Sequence, residues 1–355
     1  MDRQTRIPGR IKHRPNQVCH PTEDSTMPTP PIILGQDHIK HHFQTAILTR
    51  KISHAYILSG EPGTGRSTLA DTFAMTLLCE SGQSDPCMQC HSCRQALSNN
   101  HPDLIHVTHK KSASIGVDDI REQINNTVAI RPYSGAYKIY IINESEKMTI
   151  QAQNALLKTI EEPPSYAVII LITSNPGAFL PTITSRCVQL KMRPLAESTI
   201  QNHLATNLSI PETKAEIYAA FARGNIGKAV QIAQSEDFQK FYEELIQILK
   251  NIHSMDVTML LNYIKKIKEE NFDIYECLDF MQIWYRDALM FKVTKDANLL
   301  IFKEEYSTIN EMSRKTGYDG FENILQAIEK AKARLEANVN MELAMELMFL
   351  VMKEN

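Results

Sequence analysis

One short stretch limits the folds open to this chain more than any other. Gly60-Glu61-Pro62-Gly63-Thr64-Gly65-Arg66-Ser67 lies between an apolar run, Ala55-Tyr56-Ile57-Leu58-Ser59, and an amphipathic pattern from Ser67 to Leu78. A glycine-rich loop that leaves a strand and opens a helix can wrap its backbone N–H groups around phosphate oxygens, and the helix N-terminus adds a favourable dipole. The plainer reading is an ordinary strand-to-helix turn. The strand pattern before and the helix pattern after favour the phosphate loop.

Two departures sit inside that pattern. Arg66 stands where the phosphate-loop pattern has lysine. An ammonium is a compact charge that bridges terminal phosphates, whereas a guanidinium is wider, planar and fixed in geometry. Ser67 still offers a hydroxyl to a magnesium ion, and Thr68 follows it. The run Tyr137 to Asn143 (YKIYIIN) reads as a buried strand, and it ends in Asn143-Glu144 where a nucleotide site needs an acid pair. Mg²⁺ prefers anionic oxygen, and the Asn143 amide is neutral. Glu144 could orient a water, but beside an altered metal site. The expectation is a degenerate nucleotide site built on Gly60, Gly63, Gly65, Arg66, Ser67, Thr68 and Asn143, with weak or absent hydrolysis.

Short apolar runs alternate with helical patterns through the first half: Ala55–Ser59, Leu104–Val107, Tyr137–Asn143 and Ala167–Thr173 as strands, with helices over Ser67–Leu78, Val117–Val128 and Ile150–Ile160. That order predicts parallel strands joined by helices. After Arg193-Pro194 the strand signal disappears. Short helices are predicted over Glu197–Asn207, Glu212–Ala222 and Ile226–Gln234, and helix alone from Phe238 onward, with Trp284 in a bundle core. The expected fold is an α/β phosphate-loop module with a parallel sheet over residues 28–192, a helical lid over 193–237 and an all-α domain over 238–355. Residues 1–27, with five Arg and Lys and no apolar stretch, are expected to be a basic tail or an extension upstream of Met27.

Four of the seven cysteines crowd into fifteen residues as Cys79-x7-Cys87-x2-Cys90-x2-Cys93. Two-residue spacers let consecutive thiolates converge on one ion, so a closed structural zinc knob over 79–93 is expected; an iron–sulfur cluster or free thiols are the rivals. The cluster points to a reducing compartment, with the cytoplasm as default location. A net charge of −3 gives no global basic footprint, so any nucleic-acid contact is a local patch or is shared with partners. No run of eighteen apolar residues exists to span a membrane.

Taken together, these motifs resemble bacterial DNA polymerase III clamp-loader subunits of the tau/gamma and delta-prime type, an AAA+ family. The resemblance runs from about Ile32 to Leu350. It is carried by Ser53-His54-Ala55-Tyr56 ahead of the loop, the four-cysteine knob, His101-Pro102-Asp103 after it, the run from Ala152 to Pro164 (AQNALLKTIEEPP), Thr173-Ser174-Asn175, Ser185-Arg186-Cys187 and Asn338-Val339-Asn340. It implies that residues 238–355 form an oligomerising collar and that Asn175 is a polar sensor. It further implies that Lys228, in Gly224-Asn225-Ile226-Gly227-Lys228-Ala229, takes the place of a second-sensor arginine, and that Arg186 reaches into a neighbour's ATP site as an arginine finger. For Lys228 a solvated helix face is the competing reading; for Arg186 it is a loop cap or a pair with a nearby carboxylate. The implied partners are tau/gamma and delta subunits, the sliding clamp and primed DNA, with ATP and Mg²⁺ mainly at neighbouring subunits. Within the family, Arg66 and Asn143 favour the delta-prime branch. A catalytically active tau/gamma-like ATPase and a stand-alone zinc-containing DNA-binding protein are the alternatives.

Overall fold

The computed structural model describes residues 33–269 and 273–355; the basic tail expected at 1–27 lies outside them. Five strands, β1 (Ala55–Ser59), β2 (Leu104–Val107), β3 (Lys138–Ile142), β4 (Ala167–Thr173) and β5 (Val188–Lys191), form one sheet in the order β2-β3-β4-β1-β5. Every pairing is parallel. Parallel strands need crossovers, and helices supply them on both faces. These are α2 (Arg66–Leu78), α3 (His91–Leu97), α4 (Val117–Ile120), α5 (Ile150–Glu161) and α6 (Pro181–Thr184), while α1 (Asp37–Leu48), ahead of β1, packs on the same face as α2.

Side chains alternate across the sheet with the period of two that extended backbone imposes. In β4, Val168, Ile170 and Ile172 pack with α1 and α2, while Ile169 and Leu171 pack with α5. Strands buried on both faces read as unbroken apolar runs, so β1, β3 and β4 were legible. β5 was not: it pairs on one edge only, and of its residues only Leu190 is buried. The helix expected over 117–128 begins as α4 and continues as a wider π-turn at Arg121–Asn125.

The rest is helical: α7 (Glu197–Leu208), α8 (Glu212–Ala222), α9 (Ile226–Gln234), α10 (Glu236–Asn251), α11 (Val257–Glu269), α12 (Ile274–Thr294), α13 (Tyr306–Lys315), α14 (Tyr318–Glu336) and α15 (Met341–Glu354). Their buried residues form one continuous cluster from Ile200 to Met352. Trp284 is fully buried in it, 5.1 Å from the Phe302 ring.

The turn from sheet to helices is fixed by polar contacts. Gln36 donates to the Arg193 carbonyl at 2.6 Å and accepts the Arg193 N–H at 2.9 Å, and the Leu195 N–H reaches the Gly224 carbonyl at 2.9 Å.

Candidate nucleotide and metal sites

The phosphate loop forms where β1 runs out and α2 begins. Gly63 and Gly65 hold φ of 85° and 87°, the left-handed region that side chains resist, so the loop folds back on itself there. The Gly60 N–H donates to the Thr173 carbonyl at the end of β4, at 3.2 Å, and the Thr64 hydroxyl donates to the Glu61 carbonyl at 2.7 Å. Thr68 lies half-buried in the first turn of α2.

Beneath the loop the metal half of the site is rearranged. The Ser67 hydroxyl donates to Asn143 Oδ1 at 3.2 Å, so the group that would face a magnesium ion is bonded to a neutral amide. Glu144 sits in the left-handed region at φ 48°. Its carboxylate accepts from Lys147 Nζ at 2.8 Å and lies 3.8 Å from His109 Nε2. Lys147 is tied in turn to the Ser112 carbonyl at 3.2 Å. A base needs a free lone pair facing its water, and this carboxylate is engaged with an ammonium.

Glu146, which the sequence reading passed over, is closer to the loop's chemistry. Its carboxylate accepts from the Ser174 N–H and hydroxyl, and those bonds carry its pKa below the ordinary value although burial works the other way. Burial pulls the Arg66 guanidinium below its ordinary value, while Glu146 and Glu144 oppose that shift. Arg66 Nη1 and Glu146 Oε2 are each buried without a hydrogen-bond partner among the described residues. An anion would satisfy Arg66. A magnesium ion would meet a rearranged shell here: Asn143 offers a neutral amide oxygen, already bonded to Ser67, and Glu144 Oε2 is paired with Lys147. Asn175 uses its side chain to accept the Gly177 N–H at 3.0 Å, closing a short turn.

Residues 225–228 lie against both the phosphate loop and α12. Lys228 Nζ lies 3.4 Å from Glu276 of α12. It is Asn225 and Gly227 that touch the phosphate loop, through Asn225 Nδ2 to the Pro62 carbonyl at 2.7 Å and the Gly227 N–H to the Gly63 carbonyl at 2.9 Å.

Arg186 is exposed at the end of α6. It donates to the Thr182 carbonyl at 3.1 Å and to Ser185 Oγ at 3.3 Å, and Nη2 lies 3.1 Å from Glu161 Oε1 at the end of α5. Within the chain it therefore caps α6 and pairs with a carboxylate.

The four cysteines converge as the spacing predicted. The Sγ atoms of Cys79, Cys87, Cys90 and Cys93 lie within 4.8 Å of one another, and Cys79 and Cys90 are 3.9 Å apart. A tetrahedron of Zn–S bonds of about 2.3 Å has edges of about 3.8 Å, whereas a disulfide would place two sulfurs about 2 Å apart. Backbone N–H groups of Cys87, Cys90 and Cys93 each donate to the preceding cysteine sulfur at 3.4 Å, which favours thiolate. Burial pushes the Cys79 thiol up, but bonds from Ser81 and Cys87 outweigh it and bring it to about 7. Burial pushes Cys93 up. The donor set fits one tetrahedral ion and leaves no open position. His91 lies outside the cluster; His101, buried, bonds Ser92 at 2.9 Å and ties the knob to β2.

A parallel sheet carrying a phosphate loop between β1 and α2, a polar turn after β4 and an appended helical region define an AAA+ module. Residues 35–196 match the family described as "DNA polymerase III, delta subunit". The chain is 29% identical to the delta-prime subunit of Bacillus subtilis DNA polymerase III, over 86% of this chain and 92% of that protein. It is also 29% identical to the tau subunit of the same organism, over 86% of this chain but 58% of tau. Among solved structures, a DNA polymerase III gamma subunit-related protein from Thermotoga maritima is similar at 19% identity, over 90% of this chain and 98% of that one, with a TM-score of 0.38. These similarities support a DNA polymerase III clamp-loader subunit related to delta-prime and tau/gamma.

Proposed function

We propose that this chain acts as a delta-prime-like member of a clamp loader: it assembles with tau/gamma and delta subunits, helps place a sliding clamp on primed DNA, and supplies Arg186 to the ATP site of a neighbour. One observation carries the reading: the Ser67 hydroxyl is bonded to Asn143 where a metal-binding acid would stand, while Arg186 lies exposed on the surface. A chain whose own site is disarmed in this way can still matter for catalysis by donating charge stabilisation to another. In this reading residues 193–237 act as lid, 238–355 as collar, and the four cysteines hold a structural zinc.

A tau/gamma-like ATPase reading is disfavoured because the Glu144 carboxylate is bonded to Lys147. A stand-alone DNA-binding reading is disfavoured by the net charge of −3. The test is reconstitution with tau/gamma, delta, clamp and primed DNA. Loading that depends on this chain, and ATP turnover that falls with Arg186→Ala while assembly persists, would support the reading. Loading and turnover indifferent to the chain would sink it. Turnover by the isolated chain that is lost in Glu144→Gln would favour the ATPase reading instead.

A further inference from the structure

Three neighbouring strands open with a polar side chain aimed at one loop. Asp103, just ahead of β2, is fully buried, and its carboxylate accepts the N–H of Tyr133 at 2.8 Å and of Ser134 at 2.9 Å. Longer bonds come from the Ser134 hydroxyl at 3.2 Å and the Gly135 N–H at 3.4 Å. Lys138, the first residue of β3, is 4% exposed and donates through Nζ to the Thr127 carbonyl at 2.9 Å and the Ile130 carbonyl at 3.3 Å. Tyr166, just ahead of β4, donates its hydroxyl to the Val128 and Ala129 carbonyls at 3.1 and 3.0 Å. Buried charges are costly to desolvate, and both of these direct their bonds to residues 127–135 rather than to each other.

The loop so fixed turns its side chains outward. Tyr133 is 79% exposed and Ile130 52%. Arg131 between them is exposed, and its side chain has no hydrogen bond or ion pair among the described residues. Tyrosine and arginine are enriched among the residues that dominate protein interfaces. A loop already held in one geometry also loses little conformational entropy on binding. Ile130 and Tyr133 lack apolar cover and Arg131 lacks a carboxylate. A pocket with apolar walls and an acid at its rim would satisfy all three.

The sheet places this tip relative to Arg186. All pairings are parallel, so the loop ahead of β3 lies at the edge of the sheet opposite the phosphate loop, which follows β1. Arg186, two residues ahead of β5, lies on the same edge as the tip. In the order β2-β3-β4-β1-β5, strands β3 and β5 are three steps apart, about 14 Å at about 4.8 Å per step. A standard interface covers about 800 Å² of each partner, wide enough to take in both.

We infer that Ile130, Arg131 and Tyr133 dock on the same neighbouring subunit that receives Arg186, seated in an apolar pocket with a carboxylate at its rim. That partner follows from the role proposed for Arg186. The tip adds a contact that holds the chain in place while Arg186 reaches the neighbour's triphosphate.

The full chain is titrated into tau/gamma, and separately into sliding clamp and primed DNA. Tyr133→Ala and Arg131→Glu should each weaken binding to tau/gamma by about tenfold or more, with thermal unfolding and the other two affinities unchanged. Arg131→Glu should also flatten the fall of affinity with salt. Ile130→Ser replaces either variant if it does not fold.

Folded variants that bind tau/gamma as tightly as wild type overturn the docking tip, and so does a loss confined to clamp or to DNA. In that case a drop of ATP turnover in Arg186→Ala leaves the clamp-loader reading standing. A wild-type chain without affinity for tau/gamma overturns both.

Discussion

The Arg186 guanidinium is held 3.1 Å from the Glu161 carboxylate, so the end of α5 and the end of α6 share one charge pair. Both partners are more than a third exposed, and such a pair contributes at most about 1 kcal/mol to stability. Glu161→Ala is therefore expected to leave thermal unfolding nearly unchanged while freeing the arginine to swing. In a reconstituted loader, Arg186→Ala should lower ATP turnover by roughly 10³, the lower end of what an arginine finger supplies. Phosphate release by the assembled complex reads the effect, and gel filtration checks that assembly survives.

Repairing the loop alone should not restore hydrolysis. Arg66→Lys with Asn143→Asp returns the missing ammonium and the missing acid, but Glu144 stays bonded to Lys147. Phosphate release by the isolated double variant is expected to remain at background. Brisk turnover would mean that this remaining obstacle does not matter.

Metal removal should act on the knob first. Four thiolates sealing one ion contribute folding energy outright. The purified chain is expected to hold about one zinc, measured by elemental analysis. A strong chelator or Cys90→Ser should lower the unfolding temperature and raise exchange over residues 79–101. Metal-free protein with full stability would refute the site.

Asp103 gives the chain a distinct acid sensitivity. Fully buried, it accepts N–H bonds from Tyr133 at 2.8 Å and Ser134 at 2.9 Å, and with a longer bond from Gly135 these outweigh burial and hold its carboxyl below the ordinary value. A carboxyl with a depressed folded-state pKa stabilises the fold above its unfolded value, near pH 4, and that contribution is lost as pH falls through the folded value. Asp103→Asn should cost about 1–3 kcal/mol at neutral pH. Denaturant titrations should show the gap between variant and wild type closing below about pH 4; a gap that is flat with pH would remove the carboxylate from the account.

The helical region should depend on its one indole. Trp284→Ala empties a fully buried position packed on Phe302, and such truncations cost about 3–5 kcal/mol. Chemical denaturation measures it, and a loss under about 1 kcal/mol would show that the core collapses around the gap.

What the sequence made legible follows from how locally each feature is encoded. The loop, the cysteine spacing and the doubly buried strands are written in consecutive residues, and the structure brings them together as expected. α3 was missed because seven residues are too short for a helical period to register, and β5 because only Leu190 of its four residues is buried, so no apolar run marks it. The engagement of Glu144 was missed because it depends on a left-handed backbone turn that aims the side chain at Lys147. The resemblance put Lys228 at a second-sensor position, with a solvated helix face as the competing reading; in the structure its Nζ lies 3.4 Å from Glu276 of α12, while its neighbour Gly227, silent in composition, touches the loop. Glu146 could have been noticed as a second acidic residue within the turn after β3. Nothing in the sequence says that Ser174 would satisfy it.

The buried cluster that runs unbroken from Ile200 to Met352 has a mechanical corollary. Helices α7–α9 share their packing with α10–α15, so tilting either group alone would open apolar surface to water. A displacement of α12 would carry α9 with it through Glu276 and Lys228, and the corner between α8 and α9 through Asp279 and Arg223, and so bear on the contact at Gly63.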